Sequence, residues 1–272
     1  MLADHNYNKL LTTYRKKSGT MTQKIAYLDC HSGISGDMLL GALLDASLPF
    51  EALRTALAAL PIKGYEVRQT PFQDQGITGS RFEVILSNEK QLVRDYNDIV
   101  ALLQASDLSS TVRERSIAIF HTLGEAESAI HGTTLDEVHF HELGAIDTIV
   151  DIVGTCIALD TLAINEVYTS PLPLTRGHVR VEHGLLPLPA PATLEILSKV
   201  KAPWSPTSIE GELVTPTGAA ILATIAHFEL PAIAIEQVGY GFGQKRLPWP
   251  NCLRICIGVA CGQPENRHCH YH

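Results

Sequence analysis

Two segments of this chain place metal-ligating side chains and carboxylates at spacings that bring them together. In the first, His139-Phe140-His141-Glu142-Leu143-Gly144-Ala145-Ile146-Asp147, the histidines stand two residues apart, and Asp151 follows four residues after Asp147. Residues i and i+2 of an extended segment share a face, so both imidazoles can point the same way. Gly144 permits a tight turn, and Asp147 and Asp151 then lie one turn apart on the helix that follows. That helix is otherwise almost wholly apolar, which predicts burial, and a buried carboxylate needs a partner. Imidazoles with carboxylates suit a first-row divalent metal that keeps open positions. His139, His141, Glu142 and Asp151 are therefore candidate metal ligands, and Asp147 is a candidate catalytic carboxylate. His121 and Glu125, at i and i+4 on the preceding helix, either extend the cluster or form an exposed pair.

The second segment is Asp29-Cys30-His31-Ser32-Gly33-Ile34-Ser35-Gly36-Asp37. A strand runs into a small-residue loop and then a helix, so backbone N–H groups point outward at the helix start and attract an anion. Asp29 and Asp37 flank the loop and repel a bare phosphate. The arrangement fits either a cation held between them or a ligand whose hydrogens the aspartates accept. Ser32, Gly33 and Ser35 are candidate substrate contacts, with Asp29 and Asp37 as candidate catalytic groups. The loop is not a Walker A motif, because GISGD lacks the terminal GK[ST].

Two further segments suggest anion binding. Around Thr175-Arg176-Gly177-His178-Val179-Arg180, continuing to His183, two arginines and two histidines form a basic patch in an acidic chain. Arg176 could hold a phosphate or carboxylate through its guanidinium fork, with His178 beside it, or the segment is an ordinary solvated hairpin. In Glu212-Leu-Val-Thr-Pro-Thr-Gly218, Thr215 suits a helix N-cap and Pro216 the first helical position. Thr217 and Gly218 then open that helix start to an anionic group. Gly239-Tyr-Gly-Phe-Gly243 precedes no helix, so it is not a dinucleotide fingerprint and reads as a glycine-rich bend. The end of the chain carries His268, Cys269, His270 and His272, ligands for nickel, copper or zinc with nothing to preorganise them.

The elements that must position these groups follow from hydrophobic patterning. Strands are expected at Lys24–Asp29, Tyr65–Thr70, Arg81–Leu86, Val138–His141, Val167–Leu174, Ala232–Gly241 and Asn251–Gly258. Helices are expected after Gly36, at Glu51–Leu60, from Asp95 to Ile130, and at Asp147–Leu162, Pro191–Val200 and Pro216–Phe228. PLPAPA, from Pro187 to Ala192, reads as a rigid polyproline-II lead into a helix. Strands and helices alternate without a fixed period, which predicts a mixed α/β fold, or α+β, whose sheet need not be wholly parallel. Residues 1–20 read as a flexible extension, 21–258 as one domain, and 259–272 as a disordered His/Cys tail.

Composition narrows the partners. The chain has 272 residues, a formal net charge of −8 and 6% aromatic residues. Neither charge-driven nucleic-acid binding nor broad base stacking is expected. No apolar run approaches a membrane span and no signal-peptide core follows Met1, so the chain reads as reduced and cytoplasmic. Six cysteines form no CxxC pair; Cys30 and Cys156 sit among apolar residues and read as buried free thiols.

DCHSGISGDMLLGALLD, EVHFHELGAIDTIVDIVG, SPLPLTRGHV, HGLLPLPAPATLEIL and GELVTPTGAAIL, taken in order, resemble the LarC-type nickel-insertion proteins over about Ile25 to Gly258. Members of that family complete the nickel-pincer nucleotide cofactor of lactate racemase. The resemblance implies a nickel chelatase of the lyase class, which puts Ni²⁺ into pyridinium-3,5-bisthiocarboxylic acid mononucleotide with CTP and Mn²⁺ or Mg²⁺. It also implies a C-terminal, CTP-binding domain or chain as partner, because full-length members continue past the position of Gly258. A homo-oligomer is compatible with the family. Neither nucleic acid nor a membrane is an expected partner. Two other readings stay open: a non-catalytic nickel metallochaperone or scaffold that works through the tail, and a metal-dependent phosphohydrolase using the same Asp/His cluster.

Overall fold

The computed structural model describes residues 23–87, 94–140, 145–181 and 184–261, with backbone only at His139 and Val181. The expected extension over 1–20, most of the tail, and His141, Glu142 and His183 lie outside the described residues.

The chain begins with β1 (Lys24–Asp29), α1 (Gly36–Ala46), α2 (Phe50–Leu57), and the ribbon β2 (Tyr65–Asp74) and β3 (Ile77–Leu86). Next come β4 (Arg94–Asp95), α3 (Tyr96–Gln104), α4 (Ser110–His131), β5 (His139–Phe140) and α5 (Ile146–Thr161). Then follow β6 (Glu166–Thr169), β7 (Leu172–Arg176), β8 (His178–Val181), β9 (Gly184–Pro187), α6 (Pro191–Lys199) and β10 (Trp204–Glu210). The last elements are α7 (Pro216–Ile225), β11 (Ala226–His227), β12 (Ile233–Phe242) and β13 (Cys252–Ala260). Among the described residues the main sheet has the order β11-β6-β1-β13-β12-β3-β2. It is mixed, as expected: β1 runs parallel to β6 and antiparallel to β13, and β2 and β3 are antiparallel.

Helix α1 lies on the sheet over β12, β3 and β13, and α5 packs on α1 and on α2 and α4. The predicted burial of α5 holds: Ile149, Val150, Ile152, Val153 and Cys156 have no exposed surface. Cys30 and Cys156 are buried free thiols, as their apolar surroundings implied, and burial pushes them up to about 12 and about 11.

Several expected elements differ, each for a local reason. The helix expected from Asp95 to Ile130 divides into α3 and α4. Asp95 makes a reciprocal capping box with Asp98, and the Ser109 hydroxyl accepts from the Val112 N–H, starting a second helix. The strand expected over Val167–Leu174 is two strands that part at Ser170-Pro171, β6 joining the main sheet and β7 pairing with β10. The β2–β3 ribbon is longer than expected because Gln75 and Gly76, both at positive φ, make a two-residue turn between Asp74 and Ile77. Helix α7 stops at Ile225, and Ala226–His227 pair with β6 as an edge strand. Of the proline-rich stretch only Pro187 belongs to a strand, as the last residue of β9, which pairs with β8.

The glycine run is also not a bend. Gly239 and Gly241 are interior residues of β12, and a Cβ on Gly241 would lie 1.8 Å from the Met38 carbonyl oxygen. A Cβ on Gly239 would meet the Ala42 carbonyl oxygen at 2.2 Å. The missing side chains let the α1 backbone rest directly on the strand.

Gly241→Val should therefore destabilise the fold by about 3 kcal/mol or abolish it, since backbone cannot yield as a side chain does. Gly154→Ala on α5 is the control. Its Cβ meets only side-chain methyl groups, of Leu40 at 3.1 and 3.3 Å and of Leu53 at 3.6 Å, so urea unfolding should place it close to the parent.

Candidate functional site

The starts of three helices border one cleft of about 690 Å³. Ser35, Gly36 and Asp37 come from α1, Asp147, Thr148 and Asp151 from α5, and Thr215 and Thr217 from α7. The β2–β3 ribbon supplies the facing wall with Arg68, Phe82 and Glu83, and Gln244 closes one side. The leads into α1 and α7 are tied together: Ile34 bridges Val214, the Ile34 N–H donates to the Leu213 carbonyl at 2.9 Å, and the Thr215 N–H donates to the Ile34 carbonyl at 3.1 Å. Gly33, at φ +88°, carries the turn, with no room for a Cβ against Leu213.

Three carboxylates thus share the cleft: Asp37, Asp147 and Asp151. Helix starts favour negative charge, which lowers the cost of collecting aspartates there. Burial nevertheless wins for two of them. Asp37 accepts from the Ser35 hydroxyl and, at 2.9 Å, from the Met38 N–H, yet desolvation holds its pKa above the usual carboxylate range, with the Asp147 charge adding to it. Asp151 is held well above that range, first by burial and then by the charges of Asp37 and Asp147, against one bond from the Asp37 backbone N–H. Its Oδ1 is buried and has no hydrogen-bond partner. Gly36 makes this contact possible, because a Cβ there would lie 2.4 Å from the Asp151 Cβ. In this arrangement Asp151 needs a proton or a cation.

Other residues singled out from the sequence fall elsewhere. Asp29 pairs with Arg254 at 2.5 Å and lines a neighbouring cavity with His31 and Trp249. Ser32 accepts from the Trp249 indole N–H at 3.1 Å and borders both that cavity and a third one next to the cleft. Arg176 is exposed and lies 3.7 Å from Glu210, and His178 begins the exposed β8–β9 hairpin; neither lines the cleft. Gly218 gives its N–H to the Thr215 cap at 3.1 Å, and the Ile34 backbone lies where its Cβ would be. His121 and Glu125 form an exposed pair at 4.0 Å. The His139 side chain, His141 and Glu142 lie outside the described residues, although β5 and α5 fix both ends of their segment. Among the described residues no three His, Cys, Asp or Glu side chains converge closely enough to hold a metal ion.

Arg68, Gln244, Lys245 and Asn251 border the cleft or the cavity beside it and were not singled out from the sequence. Arg68 stands in an ordinary alternating strand and carries no signal there. Basic residues, an aromatic and an amide close together in Gly243-Gln-Lys-Arg-Leu-Pro-Trp-Pro-Asn251 could have flagged the other three.

The raised pKa of Asp151 has a definite sign. The folded chain keeps a proton that the unfolded chain releases, so this group favours folding most below about pH 4 and progressively less as pH rises through its folded pKa. Asp151→Asn, neutral throughout, should match the metal-free parent in urea unfolding near pH 4 and exceed it increasingly toward pH 8.

Comparison with known proteins agrees with the order of these segments. A relative from Thermomicrobium roseum is 49% identical over 243 residues, covering 89% of this chain and 60% of its own length. A second, from Roseiflexus castenholzii, is 49% identical over 235 residues, covering 86% of this chain and 59% of its own. A third, from Desulfitobacterium hafniense, is named pyridinium-3,5-bisthiocarboxylic acid mononucleotide nickel insertion protein; it is 48% identical over 246 residues, 90% of this chain and 60% of its own. The chain thus spans about 60% of the length of these relatives. No solved structure matches it, and among the described residues no helix is long and apolar enough to cross a membrane. The family model described as nickel insertion protein matches residues 26–270, which take in all three helix starts around the cleft, and the chain belongs to that family.

Proposed function

We propose that this chain takes part in inserting Ni²⁺ into pyridinium-3,5-bisthiocarboxylic acid mononucleotide, with the acidic cleft as the place of transfer. The observation that carries this reading is Asp151: a carboxylate with one buried, unpartnered oxygen, on the helix that directly follows the His139–Glu142 segment. In this reading His139, His141 and Glu142 join Asp151 as ligands to the incoming Ni²⁺. Asp37 and Asp147 supply charge close by and accept protons or ligand hydrogens. Nitrogen and oxygen ligands hold nickel less firmly than the two thiocarboxylate sulfurs do, which gives transfer a direction. Ser35, Thr215 and Thr217 contact the mononucleotide. Arg176, His178 and Asp29 lie outside the cleft and have no part at the transfer site.

The reading also places turnover in the cytoplasm, with CTP and Mg²⁺ or Mn²⁺, and includes a C-terminal partner, the one element that the relatives' greater length supports. The test supplies the metal-free mononucleotide, Ni²⁺, Mg²⁺ and CTP to this chain, with and without a C-terminal fragment of a full-length relative. Nickel-bearing cofactor, followed by mass spectrometry, is the expected product. Asp151→Asn should lower its rate by at least roughly tenfold, as should the double substitution His139→Ala/His141→Ala. Phosphate release from simple nucleotides without cofactor formation would instead favour a phosphohydrolase.

A further inference from the structure

Next to the acidic cleft lies a cavity of about 250 Å³, bordered by Ser32, Ser35, Asp37, Lys245 and Asn251. Asn251 is 5% exposed. Its Nδ2 donates to the Lys245 carbonyl at 2.9 Å, and its backbone carbonyl accepts from the Gly243 N–H at 2.9 Å. The residue therefore holds the Gly243–Asn251 connection closed on itself, which fixes the direction of its amide. Its Oδ1 is buried and has no partner. A buried amide oxygen of this kind is costly unless a donor arrives from outside the chain.

Lys245 provides the complementary half. Its Nζ donates to the Glu212 carbonyl, and an ammonium has two further hydrogens to give. The cavity thus combines a fixed acceptor with a cationic donor, separated by the length of one short connection. A sugar phosphate has the matching pair, hydroxyl donors a few bonds from an anion. Asp37 and Glu212 also border the cavity and repel an anion placed against them, so a phosphate there must lie directly against the Lys245 ammonium.

We propose that this cavity seats a ribosyl 5-phosphate group, with Asn251 Oδ1 accepting from a sugar hydroxyl and Lys245 Nζ donating to the phosphate. The inference deepens the functional reading above and rests on it for the identity of the nucleotide. Seated there, the mononucleotide has its sugar beside Asp37, and its ring extends toward the carboxylates of the adjoining cleft.

The experiment titrates the full metal-free chain with the mononucleotide, its dephosphorylated nucleoside, its 2′-deoxy and 3′-deoxy forms, and ribose 5-phosphate. Calorimetry gives Kd, and the Asn251 side-chain amide signal is followed by NMR. At least one deoxy form should bind about tenfold or more weakly, a comparison that needs no altered protein. Lys245→Gln should weaken the mononucleotide at least about tenfold and leave the nucleoside unchanged. The Asn251 amide signal should move with every ligand that carries the ribosyl phosphate. Equal affinity for all sugar forms, or a Lys245→Gln loss that is absent or equal with and without the phosphate, overturns the seat. Failure of the functional reading looks different: ribose 5-phosphate would show the same dependence on Lys245 and moving Asn251 signal, while no nickel-bearing cofactor forms in any mixture.

Discussion

Everything at the candidate site depends on one close approach, that of the α1 backbone to the backbone of β12. Gly239 and Gly241 leave no side chain between them, so the helix is held at the distance set by peptide groups. That contact fixes where α1 begins, and Gly36 at its first position is in turn the surface against which Asp151 packs. A larger residue at any of these glycines would displace the helix from its place between the strand and Asp151. The carboxylates of the cleft are therefore placed by main chain, which is stiffer than side-chain packing.

Fixed in this way, the cleft balances opposing electrostatic terms. Three helix starts direct partial positive charge into it, and three aspartates supply the opposite sign. The pKa values of Asp37 and Asp151 are both raised, so loss of water outweighs the hydrogen bonds that Asp37 accepts from Ser35 and Met38.

The sequence made the buried helix α5, the capped start of α7 and the pairing of Asp147 with Asp151 readable, because each follows from periodicity or capping within a few residues. Asp37 was legible for the same reason. What brings Asp37 to Asp151 was not, since Gly36 and Gly241 mean something only once α1, β12 and α5 are packed. The glycine run was legible only in part: the strand expected over Ala232–Gly241 takes in Gly239 and Gly241, but spacing alone does not show that it carries a helix backbone. Arg176 and Arg68 show the same limit from opposite sides. Arg176 stood in a conspicuous basic patch and lies beside Glu210 outside the cleft lining, whereas Arg68, in a plain alternating strand, lines it. Tertiary placement, set by which strand neighbours which, decided both.

The Ile34–Val214 bridge described above joins the leads into α1 and α7 through backbone bonds on both sides. The ribbon opposite them is attached differently: β3 meets β12 in the main sheet at one paired position, Gly241 with Ser80. One wall of the cleft is thus joined by main-chain hydrogen bonds, whereas the other pairs with the main sheet at one position and is held mainly by packing under α1. Arg68 and Glu83 stand on that ribbon, so the charge facing the aspartates is set by side-chain packing rather than by a continuous ladder.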